Sequence, residues 1–245
     1  MSRSSRLIVV AVAAGCVGIL FVLAFLDLPD FGSSFHPYRD LSVPTAIRQH
    51  APNVVSSVNF DQRGLDTLGE ETILFASVMG AAMLLRPNAQ EKELRSFGGA
   101  RVLPLTRLLG YVMLPVTLVL GLDTVVHGHI TPGGGFQGGV ILATGLHLLY
   151  LTGSYPALLR VRPVRPYEIS EAVGAAGFAA IGVAGILTGS AFLTNIVPLG
   201  RFRDLASAGT VPFLNIAVGI EVASGMVTLL AAFFEQALAI EPDDR

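Results

Sequence analysis

The chain has 245 residues, of which 52% are hydrophobic and only 14% charged, with mean hydropathy +0.64 and a formal net charge of −2. Soluble domains carry about 25% charged residues, and disordered chains are poor in apolar ones, so neither class fits. The near-neutral balance leaves no basic footprint for nucleic acid, and a single cysteine excludes a disulfide framework, an iron–sulfur cluster or a Cys-based zinc site within the chain. The expected class is an all-α, polytopic membrane protein.

A membrane-spanning helix needs about 20 mainly apolar residues, and six segments meet or approach that length. The first, Leu7–Leu26, is uncharged and follows Arg3 and Arg6. It exceeds the roughly 7–15 apolar residues of a signal-peptide core and lacks an obvious cleavage site before Asp27-Leu28-Pro29, so it reads as a retained span. A loop of about 40 residues follows, longer than most connections, with Pro29, Pro37, Pro44 and Pro52. Within it Val54, Val55, Val58 and Phe60 suit either a short interfacial helix or a packed loop.

The second segment is 67–85. Asp66 or Thr67 is a natural N-cap, and Glu70 falls near the end of the first turn, where the helix dipole favours a carboxylate. Glu70 therefore reads either as dipole compensation or as a relay acid entering the membrane. Glu71 is adjacent and points about 100° away, so only one of the pair need face the interior. The most polar stretch of the chain comes next, with Pro87 ending the helix and Gly98-Gly99 loosening the connection. It divides the sequence into a two-span unit (1–88), a linker (89–102), a four-span unit (103–238) and a tail (239–245).

The third segment, 103–126, ends in a cluster of Asp123, His127 and His129. Asp123 and His127 are i, i+4 and share one helix face. The pattern invites a metal reading, yet Pro132 breaks the spacing and no third strong ligand is fixed; a polar rim with a proton-accessible histidine is expected instead, and no metal site. Then comes His127-Gly128-His129-Ile130-Thr131-Pro132-Gly133-Gly134-Gly135-Phe136-Gln137-Gly138-Gly139. Backbone this irregular at membrane depth needs protein or a water-filled cavity around it. A phosphate loop is excluded, since no Gly-Lys-Ser/Thr and no preceding strand accompany the glycines.

The fourth segment, 134–151, is short and carries His147, which reads equally as an interhelical hydrogen-bonder or a proton carrier. The fifth is 169–193. The sixth, 212–234, holds Glu221 near its middle, flanked by Gly219 and Gly225, where a neighbouring helix can approach closely. An acid at that depth costs about 2.5–3.5 kcal/mol on insertion scales and so needs a reason. It is either a relay group or a protonated structural carboxyl. Lys and Arg beside the spans favour the side of the N-terminus by about two to one, which places both termini in the cytoplasm. No internal repeat of the kind that builds complete transporters is evident.

The run His-Ile-Thr-Pro-Gly-Gly-Gly-Phe-Gln-Gly-Gly between two spans resembles the hallmark of the MnhB/MrpB subunit of Mrp-type multisubunit cation/proton antiporters, and the four-span unit is similar to that family throughout. Pro52-Asn53-Val54-Val55 and Arg63-Gly64-Leu65-Asp66-Thr67-Leu68-Gly69-Glu70 resemble the domain ending the large Mrp protein, which also occurs as a separate small component, the E subunit, of membrane-bound hydrogenases. Leu65 stands where that motif usually has an aromatic residue. The resemblance implies a non-autonomous subunit of a prokaryotic inner-membrane Na⁺/H⁺ antiporter. The alternatives are the equivalent subunit in a hydrogenase-type redox complex, or a purely structural one. It implies other membrane subunits as partners, no cofactor in this chain, and importance for transport at Glu70 and Phe136; Glu221 by its depth, and Asp123, His147 and Asp66 by their positions, join Glu70 as candidates for an ion or proton pathway. Gly133, Gly134, Gly135, Phe136, Gly138 and Gly139 form the structural motif.

Overall fold

A computed structural model describes residues 3–28, 32, 34–86, 103–152 and 164–240. The described residues form eight α-helices and one π-turn, with no strand among them. The chain divides into two compact units, Met1–Asp40 and Leu41–Arg245. In the first, α1 (Arg3–Leu26) is apolar on every side over Leu7–Leu26, with mean hydropathy 3.0, as a helix bathed in hydrocarbon requires. Cys16 is exposed on it. Helix α2 (Pro37–Arg48) begins in this unit, where Arg39 pairs with Asp40 at 2.8 Å, and continues into the second.

The second unit is a helical bundle. Helix α3 (Val54–Ser57) passes directly into a π-turn (Val58–Gln62), followed by α4 (Gly64–Leu84), α5 (Pro104–Val126), α6 (Gly135–Leu151), α7 (Val164–Leu187) and α8 (Val211–Ile240). Five helices, α1, α4, α5, α7 and α8, are long and apolar enough to cross a membrane; α6 is apolar but has only 17 residues. At 1.5 Å per residue it covers about 26 Å of a hydrocarbon core about 30 Å thick.

Helix α8 is the axis, with more than half of its spanning window buried. Close approaches give the directions: Gly135 and Gly139 of α6 meet Asn215 and Val222 of α8 in the same order, whereas Gly174 and Gly177 of α7 meet Glu221 and Ala217 in reverse. So α6 runs parallel to α8 and α7 antiparallel. The core joins Phe60, Phe178, Leu193, Val211, Leu214 and Val218.

Three expectations shift. Helix α4 starts at Gly64, with no side-chain cap at Arg63, because the π-turn feeds straight into it. Asp66 therefore lies within the first turn, paired with Arg63, while the Thr67 hydroxyl donates to Asn59 O at 2.7 Å. Helix α7 runs from 164 to 187 rather than 169 to 193, because the chain folds back after Gly189 (φ 80°) and Leu193 N donates to Gly182 O at 3.2 Å. The stretch 54–60 is helical, as α3 and the start of the π-turn, but packed inward: Ser56, Ser57 and Phe60 are buried, and Phe60 meets Phe178 at a ring separation of 6.2 Å. The predicted linker 89–102 and most of the tail lie outside the described residues.

Candidate functional site

The glycine loop between α5 and α6 is held by two asparagines from distant parts of the chain. Gly133 and Gly134 have φ of 139° and 147°, values that side chains disfavour, and the turn's own backbone bonds, Ile130 N and Thr131 N to His127 O, leave the carbonyls of Gly128, His129 and Thr131 to be met from elsewhere. Asn53 fills that need: its Nδ2 donates to Gly128 O at 2.7 Å and Thr131 O at 2.9 Å, and its backbone N–H donates to His129 O at 3.1 Å. The same side chain caps α3, accepting from Val55 N and Ser56 N. From α8, Asn215 Oδ1 accepts from Gly135 N at 2.9 Å, while its Nδ2 donates to Ser56 Oγ at 3.1 Å and Val211 O at 3.0 Å. A Cβ on Gly135 would stand 2.5 Å from Asn215 O. The expectation that this backbone needs protein around it is met by Asn53, Ser56 and Asn215.

A second polar group lies farther along α8 and is built differently. Glu221 on α8, Glu171 on α7 and Glu71 on α4 are respectively 0%, 1% and 1% exposed. Gly174 brings α7 onto α8 beside Glu221, where a Cβ would lie 2.8 Å from the Glu221 Cβ. One turn away the relation inverts, and Glu171 Oε1 lies over Gly225, 3.0 Å from where its Cβ would be. Val78 of α4 approaches the same glycine, and Glu71 lies two turns earlier on α4. Glu71 and Glu171 each stand close enough to Glu221 to interact with it electrostatically. Glu71 and Glu221 stand within hydrogen-bond reach of each other, and no N–H or O–H of any other described residue reaches the six carboxyl oxygens.

The other sequence candidates spread over the molecule. Glu70, Asp66 and Asp123 are exposed. Asp123 pairs with the half-buried His127 at 3.0 Å, whereas His129 is wholly buried. Burial holds His129 below the ordinary histidine range, His127 pushes the same way, and the backbone of Asp204 and Leu205 offsets part of the effect. The proton-accessible rim histidine is thus His127 alone. Among the described residues no three His, Cys, Asp or Glu side chains are grouped to hold a metal ion. His147 is half-buried on α6, beside the Met226 backbone of α8. Phe136 packs against the core. Near α2 and the 188–210 loop, Asp61 lines a cavity of about 450 Å³ with Gln49, Thr194 and Asn195, and burial raises its carboxyl above the ordinary value of 3.8.

Sequence reasoning missed Glu71 and Glu171. The phase of α4 was the available signal for the first, since Thr67, Glu71 and Val78 share one buried face. For the second it was the Glu171-x-x-Gly174 spacing, an acid one turn from a small residue.

Residues 105–228 match the model of a family described as a domain related to the MnhB subunit of Na⁺/H⁺ antiporters. The chain belongs to this MnhB-related family. The matched region contains α6 entire, the glycine loop, Asn215 and two of the three buried glutamates. Among relatives of this MnhB-type chain, an uncharacterised protein of Methanocaldococcus jannaschii is 36% identical over 203 residues, covering 74% of this chain and 76% of that one. A probable K⁺/H⁺ antiporter A/B subunit of Rhizobium meliloti is 28% identical over 234 residues, covering 85% of this chain but only 22% of its own length. Of solved structures, a chain of the membrane-bound sulfane sulfur reductase, an archaeal respiratory membrane complex, superposes with TM-score 0.71 and 27% identity, covering 93% of this chain and 97% of that one. A chain of the Mrp complex from a Dietzia species gives TM-score 0.67 at 24% identity, covering all of this chain and 27% of that one, and so shares its fold. This is a multi-pass integral membrane protein of a prokaryotic membrane.

Proposed function

We propose that this chain is a non-autonomous subunit of a multisubunit monovalent cation/proton antiporter, contributing to an ion or proton pathway and to assembly. The observation that carries this reading is the family match over 105–228, which takes in the glycine loop, Asn215 and Glu221 together. Non-autonomy is supported by the helices themselves: each described spanning helix is continuous, and none is broken at mid-membrane as transporter binding sites usually require. Glu221 supplies a buried acid for the pathway, with His147 on the neighbouring face. Asp66, Glu70 and Asp123, exposed in the isolated chain, are placed to meet partner subunits.

The units 1–88 and 103–238 read as two modules joined by the linker 89–102, with the tail 239–245 and both termini cytoplasmic. The rhizobial relative, whose name joins A and B subunits, aligns with 85% of this chain and supports such a joint. So does the clamp, in which Asn53 and Ser56 of the first module hold the glycine loop and Asn215 of the second.

The second reading is a membrane-arm component of a redox-driven respiratory complex. It is favoured by the full-length match to the sulfane sulfur reductase chain. Affinity purification of the tagged chain from native membranes separates the two. Antiporter subunits alone, together with cation-dependent collapse of a pH gradient in inverted vesicles, support the first. Co-purifying flavin or iron–sulfur subunits overturn it in favour of the second.

A further inference from the structure

Glu71, Glu171 and Glu221 come from three helices, lie within the bundle, and receive no hydrogen bond from any other described residue, while Glu71 and Glu221 stand within hydrogen-bond reach of each other. The ionisable groups acting on them are one another, Glu70 at the head of α4 and Glu168 one turn before Glu171; every one is acidic. From α6, His147 faces the backbone of Met226, five residues beyond Glu221. Three carboxylates cannot sit together in a low-dielectric interior without countercharge. The missing donors must be the O–H groups of the carboxyls themselves, so the cluster requires protons to be satisfied. A purely structural polar cluster would be closed by amides or hydroxyls, as the glycine loop is. Nor is the group arranged to hold a metal ion.

We propose that Glu71, Glu171 and Glu221 form a single proton-holding site across α4, α7 and α8, with H⁺ as its ligand. The site releases one proton when a carboxylic O–H bond breaks; that proton passes to water, and the charge left behind is shared with the acids that remain protonated. Uptake is the reverse. The proposal rests on the antiporter reading for the use of the proton, but not for the existence of the site.

The test is pH-difference infrared spectroscopy of the purified complex between about pH 3 and about pH 10, a range that covers carboxyl titrations from the ordinary value of about 4.3 upward. A protonated-carboxyl C=O band that disappears as pH rises is expected. It should lose more than about half its amplitude in each of E71Q, E171Q and E221Q, because coupled acids titrate together. D40N, at an exposed acid of α2 paired with Arg39, should leave it unchanged. Where a Gln variant fails to assemble, the Asp variant at that position keeps the acid and should shift the band without removing it. A band invariant over the whole range, or unaffected by all three substitutions, overturns the proposal. So does its loss on adding Na⁺ at fixed pH, which would make the ligand a cation. Because spectra and antiport are read separately, absence of a titrating band from an unmodified complex that carries out antiport refutes the site alone. An intact titrating band in a complex without antiport refutes the transport reading alone.

Discussion

Asn215 and Glu221 are both wholly buried on α8, about 9 Å apart along the helix, yet their surroundings are opposite. The Asn215 amide makes three hydrogen bonds, and through Ser56 it ties α8 to α3. The Glu221 carboxyl has no partner among the described residues except another acid, Glu71, and also faces Glu171. Both groups were costly to bury, and only one is repaid by partners within the chain. A satisfied amide fixes a geometry and gains nothing from changing its charge. An unsatisfied acid gains from a ligand that comes and goes. Removing a side chain should therefore damage folding in the first region and transport in the second.

The largest effect is expected at Asn215. Asn215→Ala strands Gly135 N–H and takes a donor from Ser56 Oγ and from Val211 O; each buried orphan costs about 1–3 kcal/mol. Loss of the chain from the purified complex, read by blotting or mass spectrometry, is expected. Normal assembly would break the contrast. Next comes Glu221→Gln, close in shape but unable to titrate. It should leave the amount of complex and its melting temperature nearly unchanged while lowering antiport at least about tenfold, a modest share of what a proton-transfer group supplies. Gly174→Leu, which drives a side chain into Glu221, should instead lower assembly and antiport together.

How far these regions were legible in the sequence follows the same division. Hydropathy locates the spans because lipid requires continuous apolar runs. The glycine loop announces itself because its backbone cannot be a lipid-exposed helix. Its partners stay hidden: Asn53 to Gly128 and Asn215 to Gly135 bridge about eighty positions, and such pairings leave no local pattern. Glu221 is evident from depth alone. Choosing between Glu70 and Glu71 required the helix phase, and phase depends on a start at Gly64 that the π-turn sets. Glu171 was lost to a boundary placed five residues late, which turned a buried acid into one beside a helix end.

A smaller effect sharpens the structural side. Asn53→Ala removes the cap of α3 and the donor to Gly128 and Thr131, but Asn215 still holds Gly135. A loss of about 1–2 kcal/mol, the usual cost of a cap, is expected as a lower melting temperature with assembly retained. Loss equal to that of Asn215→Ala would mean that the two clamps act as one.

The smallest effects concern pH, and two buried groups outside the spans act with opposite sign. His129 is held below its ordinary value of 6.5, chiefly by burial. The unfolded chain therefore binds a proton near that pH before the folded chain does, so stability is complete above about pH 6.5 and is lost as pH falls below it. Asp61 is raised above 3.8 by burial, so the folded chain keeps its proton longer. That contribution is present at low pH and is lost as pH rises from 3.8 toward the raised value. Melting curves of the assembled complex across this range should show His129→Gln flattening the decline below about pH 6.5. Asp61→Asn should raise stability at neutral pH and leave the acid side almost unchanged. If both substitutions shift the curve equally at every pH, burial at these two positions is a matter of packing and their charges take no part.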